Sequence, residues 1–235
     1  MIGGRDVNRH SLARVDQINL TSGQLFNVAP MAYSRNGPSA VASDRCVLVF
    51  GGYDEIQNSI LATCEAYDPI RDKYVGLLLF IPLRWTSLPD MRNKRYRSGA
   101  VHIPKKGDLV IGGSDQLGNT APNLRSAELL QAADHNGCRW REIAPMLQAR
   151  CWPSAAYHNG NVYVTGMNER SVEVLTLTPD KAEQWTLVND CIEVEPLVYS
   201  MCAYSGRLFV SSEFRPVSIV KYRSSLDITF SYFSR

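Results

Sequence analysis

The chain has 235 residues, of which 45% are hydrophobic and 20% are charged, and its formal net charge is +2. This composition is ordinary for a globular protein, and the small charge excludes a general attraction to nucleic acid or to a membrane surface. The six cysteines form no Cys-x-x-Cys pair, so we interpret them as reduced thiols of a cytoplasmic protein. The longest apolar run, residues 75–83, is too short to span a membrane, and we expect no secretory leader because no apolar run of useful length follows Met1.

Short apolar runs bounded by turn residues follow one another along the whole chain, and each one predicts a β-strand. In chain order the main runs are residues 15–20 and 25–28; 39–42, 46–50, 63–69 and the run at Trp85; 98–103, 107–111, 126–130 and 140–146; 154–157, 161–164, 171–175 and 185–188; and 200–203, 208–210, 217–220 and 226–233. The third group, residues 97–146, predicts one four-stranded antiparallel sheet, and the other groups repeat its pattern.

Three features recur in the same order within these groups. A glycine pair ends the second strand, an acidic residue lies in the third, and an aromatic residue lies in the fourth. The glycines are Gly3, Gly4, Gly51, Gly52, Gly112 and Gly113, and in the fourth unit the pair is reduced to Gly166. The acids are Asp16, Glu65, Glu128 and Glu173; the aromatics are Phe26, Trp85, Trp140 and Trp185. The second glycines are separated by 52 − 4 = 48, 113 − 52 = 61 and 166 − 113 = 53 residues. A four-stranded repeat of this length predicts β-propeller blades.

The glycine pair, the acid, the spaced aromatic and a following Pro-Met together resemble the kelch repeat over nearly the whole chain. The resemblance implies an all-β fold: a kelch-type β-propeller of four-stranded antiparallel blades. With about four to five units, we expect the propeller to be incomplete. We expect the glycines to allow close backbone approach and the tryptophans to fill the wedge between sheets, so both are structural. Function is then expected in the loops.

We divide the single predicted domain into units 1–31 (partial), 32–91, 92–146, 147–188 and 189–235 (partial). The first unit begins in mid-repeat at Gly3, and the last has no tryptophan, so we expect an irregular fourth strand at 226–233. Removing residues 74–84 brings the spacing of 61 to 50, and we interpret this apolar run as an insertion; a hydrophobic docking finger is the alternative. The open sheet edge of an incomplete ring favours self-association.

The loops that join one blade to the next are basic. Residues 32–38, 92–98 and 147–153 hold six cations and no carboxylate. Arg35, Arg95 and Arg150 each precede the following strand by four residues, which predicts equivalent positions around the axis. With Tyr33, Tyr96 and Trp152 they predict a basic, aromatic-lined opening for an acidic or phosphorylated peptide. The alternative is solvated charge, or arginines bound to backbone carbonyls, which we favour for Arg92, Lys94 and Arg97.

From this interpretation we expect alanine at Arg35, Arg95 and Arg150 to leave folding intact and to abolish capture of an acidic partner. In the kelch family such loops capture proteins. Many members are substrate-recognition subunits of cullin–RING ubiquitin ligases with a BTB domain ahead of the propeller, and others bind actin. The resemblance therefore implies a substrate-recognition role of this kind for the present chain, and an actin-binding cytoskeletal scaffold is the alternative. The given residues ahead of the repeats include no BTB or BACK segment, so the ligase link rests on the resemblance alone.

Catalysis is the remaining alternative. Galactose-oxidase-like members hold copper with Tyr and His ligands, but His10, His102, His135 and His158 do not pair at ligand spacing. No nucleophile elbow, phosphate loop or zinc signature is present. We therefore expect a non-enzyme without cofactor or metal. Cys151 lies in a basic loop that favours a lowered thiol pKa, and redox sensing is a minor alternative for it.

Overall fold

The computed structural model describes most of the chain. The described residues are 1–43, 46–69, 85–118, 121–133, 137–167, 171–177, 183–188, 199–204, 207–212, 215–223 and 227–232. The apolar run at 74–84 that we interpreted as an insertion lies outside them, as does His135. Nothing helical in the described part of the chain has the length and apolar character needed to cross a membrane.

Twenty short strands make up the described fold. In chain order they are β1 (Val15–Ile18), β2 (Leu25–Val28), β3 (Ser39–Ser43), β4 (Cys46–Phe50), β5 (Tyr53–Asp54), β6 (Ser59–Ile60), β7 (Cys64–Tyr67), β8 (Trp85–Leu88), β9 (Gly99–Ile103), β10 (Gly107–Ile111), β11 (Ala127–Ala133), β12 (Gly137–Ile143), β13 (Ser154–His158), β14 (Asn161–Thr165), β15 (Val172–Thr176), β16 (Gln184–Val188), β17 (Tyr199–Tyr204), β18 (Arg207–Ser212), β19 (Arg215–Arg223) and β20 (Asp227–Tyr232).

Neighbouring strands pair antiparallel into sheets that we call blades 1 to 5. Blade 1 contains β1 and β2; blade 2 contains β3, β4, β7 and β8; blades 3, 4 and 5 contain β9–β12, β13–β16 and β17–β20. The hairpin β5–β6 lies in the loop between β4 and β7. The first strands of blades 2 to 5 contact one another in sequence, β3 with β9, β9 with β13 and β13 with β17. This arrangement confirms the expected incomplete propeller of four-stranded blades.

Blade 5 is more regular than the sequence indicated. We expected a partial unit with an irregular last strand, but β20 pairs with β19 at six consecutive positions from Asp227 to Tyr232. Phe230 stands opposite Val220, the register position that Trp185 holds opposite Leu175 in blade 4. The sequence thus has a residue type of high strand propensity at this register position, although the last unit has no tryptophan.

The hydrophobic core lies between neighbouring blades. Between blades 3 and 4, Ile111 and Leu129 belong to one cluster with Val164 and Leu175, and all four are at most 2% exposed. Because each inner blade is covered on both faces, its central strands are apolar at consecutive positions instead of alternating positions, as in β10. Both sheet faces are thus used for packing, and the loops remain available for binding.

Three tryptophans connect each blade to the preceding one. Their side chains are at most 9% exposed, and each indole N–H donates a hydrogen bond to a carbonyl just beyond the fourth strand of the preceding blade. The bonds are Trp85 to Ala29 at 2.8 Å, Trp140 to Pro89 at 2.7 Å and Trp185 to Ala144 at 2.7 Å. The ring fills the wedge between sheets while the N–H fixes its orientation.

Phe26 does not hold the tryptophan position of blade 1, and our assignment is wrong by one residue. Leu25 stands opposite Ile18, as Trp140 stands opposite Leu130 in blade 3. Because successive side chains alternate between the two faces of a strand, Phe26 is directed to the other face, and it is 44% exposed. The loop between the third and fourth strands varies in length among the units, so spacing along the chain does not fix the face.

The tryptophan contact gives a first prediction. Replacing Trp140 by Phe keeps a ring in the wedge but leaves the Pro89 carbonyl without its donor. We expect the free energy of unfolding to fall by about 1 to 3 kcal/mol, measured by urea denaturation followed by circular dichroism. Trp152→Phe is the control: its side chain is 37% exposed, and the change should stay below about 0.5 kcal/mol. Equal losses in the two variants would contradict the assigned role.

Candidate ligand-binding cavity on the loop face

Two sets of loops meet on one side of the propeller, which we call the loop face. The first set joins the second strand to the third within a blade, and the second set joins one blade to the next. Backbone pairing of Asn36 with Tyr53, and of Tyr96 with Ser114, brings the two sets together. The two sets of loops therefore emerge on the same face.

The three arginines predicted to contact a partner are fully buried instead. Arg35, Arg95 and Arg150 are each 0% exposed, and each pairs with the acid in the third strand of the blade that follows. The distances are 2.8 Å from Arg35 Nη2 to Glu65 Oε1, 2.7 Å from Arg95 Nη2 to Glu128 Oε1 and 3.2 Å from Arg150 Nε to Glu173 Oε1. This corrects the sequence interpretation, because no guanidinium of the three reaches a ligand at the surface.

The remaining bonds of each pair hold the loop in place. Arg95 Nη1 donates to the Gly112 carbonyl at 2.9 Å, and Arg35 Nη1 donates to the Gly51 carbonyl at 2.6 Å. The carboxylates accept the first backbone N–H groups of the loop: Glu65 from Ala32 at 2.7 Å, Glu128 from Arg92 at 2.7 Å and Glu173 from Leu147 at 2.6 Å. The alternative interpretation, arginines bound to backbone carbonyls, describes these contacts.

The glycine pairs receive the backbone of the same loops. Gly52 N donates to the Arg95 carbonyl at 2.8 Å, and a Cβ on Gly51 would lie 2.3 Å from that oxygen. Both glycines have a left-handed backbone, with φ of +59° and +100°. The same approach recurs at Gly3 and Gly112, against the carbonyls of Arg35 and Arg150. Any side chain at the first glycine would displace the loop that follows the blade.

Arg95 and Glu128 remain charged in the interior. Burial lowers the pKa of the Arg95 guanidinium, although Glu128 acts in the opposite direction. Burial alone would raise the pKa of Glu128, but the hydrogen bond and charge of Arg95, with the Arg92 amide, hold it below its ordinary value. Such a pair adds little net stability, whereas removal of one partner is costly because the other charge stays buried.

A cavity of about 500 Å³ opens on the loop face and is the candidate site. Among the residues that the structure describes, its lining includes two cations, two tyrosines, a serine and a cysteine, and no carboxylate. They are Arg5, Arg97, Tyr53, Tyr96, Ser114 and Cys151. Arg5 forms an ion pair with Glu55, whose hydrogen bond raises the Arg5 pKa. Arg97 therefore supplies the less compensated positive charge of the cavity.

Arg97 is held against two aromatic rings. Its Cζ lies 4.5 Å from the centre of the Tyr96 ring and 4.7 Å from that of the Trp152 ring. Contacts of this kind orient a guanidinium and attract it electrostatically. The structure thus brings Tyr96 and Trp152 together, but with Arg97 in place of the three buried arginines. Tyr33 is not among the residues that line the cavity; it lies instead against Arg35, 5.4 Å from ring centre to Cζ.

The backbone at Arg97 is unusual and points to a functional role. Gly37, Arg97 and Trp152 each stand two residues before the next strand, and all three have a left-handed φ, +58°, +57° and +48°. Arg97 N donates to Gly37 O at 3.0 Å and Trp152 N donates to Arg97 O at 3.1 Å, which links the three loops. A glycine adopts this backbone without cost, whereas Arg and Trp do not, and such strain is concentrated at functional sites.

The sequence interpretation assigned Arg97 to solvated or structural charge and did not consider Arg5. A signal for Arg97 was present, since its loop position is glycine in the loop before blade 2 and tryptophan in the loop before blade 4. A position that alternates between glycine and large side chains suggests a left-handed residue. Arg5 carries no comparable signal, because only the folded loops bring it to the cavity.

Cys151 is not an activated thiol. Burial raises its pKa, and the neighbouring Arg97, which acts in the opposite direction, does not overcome burial. A thiol with a raised pKa is a poor nucleophile at neutral pH. Redox sensing by Cys151 was inferred from the positive charge of its loop, but burial raises the thiol pKa more than that charge lowers it.

The described histidines are dispersed. His102 lies on β9, where its Nδ1 is 2.8 Å from Asp108 Oδ1; His158 ends β13; and His10 is exposed beside Asp6. Within the described ranges, no three His, Cys, Asp or Glu residues form a group that could hold a metal ion.

Comparison with known proteins agrees with the fold. The family model described as Kelch motif matches residues 34–75, a range that contains Arg35, the Gly51-Gly52 pair and Glu65. No curated protein matches the chain. The solved structure of YjhT matches with a TM-score of 0.77 at 9% identity, over 98% of this chain and 80% of that chain. The chain contains a kelch motif and folds as a kelch-type β-propeller; an identity this low extends to the fold alone.

The buried pairs reverse the expected effect of arginine substitution. We now expect Arg95→Met to lower the free energy of unfolding by about 3 to 5 kcal/mol, because Glu128 is left buried without its partner. Urea denaturation measures the loss. Arg92→Met is the matched control, since Arg92 forms an exposed pair with Glu142 at 3.4 Å that contributes at most about 1 kcal/mol. An Arg95→Met protein as stable as the control would show that the pair does not support the fold.

Proposed function

We propose that this protein is a non-catalytic, protein-binding kelch module whose loop face binds an acidic or phosphorylated peptide segment. The observation that carries the proposal is Arg97. Its guanidinium lines the cavity, rests against Tyr96 and Trp152, and belongs to a residue with a strained left-handed backbone. A pre-oriented guanidinium beside rigid aromatic rings is well suited to a carboxylate or phosphate on a ligand.

The origin of the lining residues favours an extended ligand. Arg5 comes from the first unit, Tyr53 from blade 2, Ser114 from blade 3 and Met167 from blade 4. A ligand that fills the cavity therefore contacts loops of successive blades. A peptide segment can place one side chain in the cavity and extend over the adjacent loops, which is the usual way in which loops on a rigid scaffold bind.

We extend the proposal to substrate recognition for a cullin–RING ubiquitin ligase, in the cytoplasm. The resemblance of the repeats to kelch-like adaptor proteins supports this extension, and the spacing of the cysteines supports the location. The acidic ligand of the loop face does not depend on this link to a ligase.

Selection from a random peptide library tests the central proposal. The full chain is immobilised, 12-residue peptides displayed on phage are selected against it, and the affinities of the enriched peptides are measured by fluorescence anisotropy. We expect enrichment of Asp and Glu, and a loss of about 10- to 100-fold in affinity for Arg97→Asn, the range for a hydrogen bond to a charged group. Asn tolerates the left-handed backbone, so this variant removes the charge without new strain.

Arg92→Asn is the control, because Arg92 belongs to the same loop, is exposed and does not line the cavity. It should bind as the wild type does, and both variants should keep the wild-type melting temperature within a few degrees. Selection of peptides without acidic residues, or undiminished affinity of Arg97→Asn, would refute the proposal.

A further inference from the structure

The loops that join second and third strands share an unexpected feature at their tips. In the first three units each loop forms a small hairpin, closed by Arg5 with Ser11, by β5 with β6, and by Ser114 with Asn123. Each loop carries one large, exposed aliphatic residue beyond its second strand, which we call its tip residue. These are Val7, 97% exposed, Ile56, 78% exposed, and Leu117, 47% exposed.

The position of these residues recurs with the repeat. They follow the second glycine of the pair by 7 − 4 = 3, 56 − 52 = 4 and 117 − 113 = 4 residues. Exposed turns ordinarily carry Gly, Asn, Asp or Ser, which fit the backbone and hydrogen-bond locally. One exposed aliphatic residue needs no explanation, but three at equivalent tips on the same face suggest a contact surface.

One tip lines the cavity that contains Arg97, and the other two belong to loops that contribute lining residues to it. Leu117 itself lines the cavity. Arg5, which also lines it, is two residues before Val7 and pairs with Glu55, the neighbour of Ile56. Val7 and Ile56 are therefore close in sequence to residues at the cavity. Asp6, Glu55 and Asp115 lie near the three tips in the sequence, but the described residues that line the cavity include Arg5 and Arg97 and no carboxylate, so the charge that complements the cavity is negative.

Hydrogen bonds hold the described residues of these hairpins. The first two are joined side by side, since Ser11 Oγ donates to Asp54 Oδ1 at 3.4 Å and Glu55 N donates to Ser11 Oγ at 3.2 Å. Asn36 Nδ2, in the loop before blade 2, donates to Glu55 Oε1 of the second hairpin at 3.0 Å. In the third, Ser114 Oγ lies 2.9 Å from the carbonyls of Gln116 and Pro122. Loops that are ordered before binding lose less entropy when a partner arrives.

We infer that the tips bind apolar side chains of the same segment whose acidic group enters the cavity. The ligand class is an amphipathic acidic peptide, in which an Asp, Glu or phosphorylated residue is flanked by large apolar residues. The inference rests on the proposed function. It favours a peptide over an anionic membrane because the cations line a cavity of about 500 Å³, where an acidic side chain fits, and not a flat face that lies against lipid headgroups.

Peptide selection with a tip variant tests the inference. In Val7→Ser/Ile56→Ser/Leu117→Ser the cavity cations are intact and the substituted residues are exposed, so folding should not change; thermal melts verify this. We expect the wild type to enrich Leu, Ile, Phe or Trp within four residues of the acidic position. The tip variant should keep the acidic enrichment, lose the apolar enrichment, and bind the wild-type-selected peptides at least tenfold more weakly. Leu20→Ser, at an exposed aliphatic residue outside the loop face, should change neither.

The outcomes separate the two proposals. A tip variant with wild-type selection and affinity overturns the inference, while the Arg97 proposal stands on its own variant. Wild-type selection without acidic residues overturns both. Vesicles containing phosphatidylserine form the second arm: binding to wild type that is lost in the tip variant, with peptide affinity unchanged, would assign the tips to a membrane surface and overturn the peptide assignment.

Discussion

A buried arginine that spans the joint between two blades is the contact on which this structure depends. At Arg95, the backbone carbonyl accepts a hydrogen bond from Gly52 of the blade before, while the guanidinium reaches the Gly112 carbonyl and Glu128 of the blade after. One residue thus connects two sheets and the loop between them. The cost of burying its charge is offset by the paired carboxylate, and a glycine is required where the backbones meet.

At the joint between blades 4 and 5, the sequence has none of the three residue types: the arginine, the first glycine and the acid are all replaced. The sequence has Pro196 at the spacing that separates Arg150 from the next strand, Thr165 in place of the first glycine, and Ser218 opposite Val210 where Glu173 stands opposite Val164. An unpaired buried charge would be more destabilising than the absence of both partners. Apolar packing around Met201, Leu208 and Val210 remains at this joint, with a hydrogen bond from Met201 N to Ser154 Oγ at 2.8 Å.

The sequence predicted the fold better than the site, for a physical reason. Glycine pairs and tryptophans recur because each joint needs them, so their period reveals the blades. The repeat also locates the basic loops at equivalent positions, but it does not show in which direction their side chains point. Arg95 and Arg97 are two residues apart in one loop, yet one is buried against Glu128 and the other lines the cavity. The left-handed backbone at Arg97 distinguishes them, and its only trace in the sequence is the glycine at the equivalent position of the loop before blade 2.

Hydrogen exchange in the native state tests most directly whether these polar contacts hold the blades together. Blades 1 and 5 both lie at an end of the described array, but blade 1 has only two strands and keeps the contacts to its neighbour, through Gly4 with Arg35 and Ala29 with Trp85. Blade 5 has four strands, and no such contact to blade 4 is found among the residues described at that joint. The account predicts that amides of β17 and β18 exchange through a local opening of lower free energy than amides of β1 and β2. Earlier exchange in blade 1 than in blade 5 would contradict it.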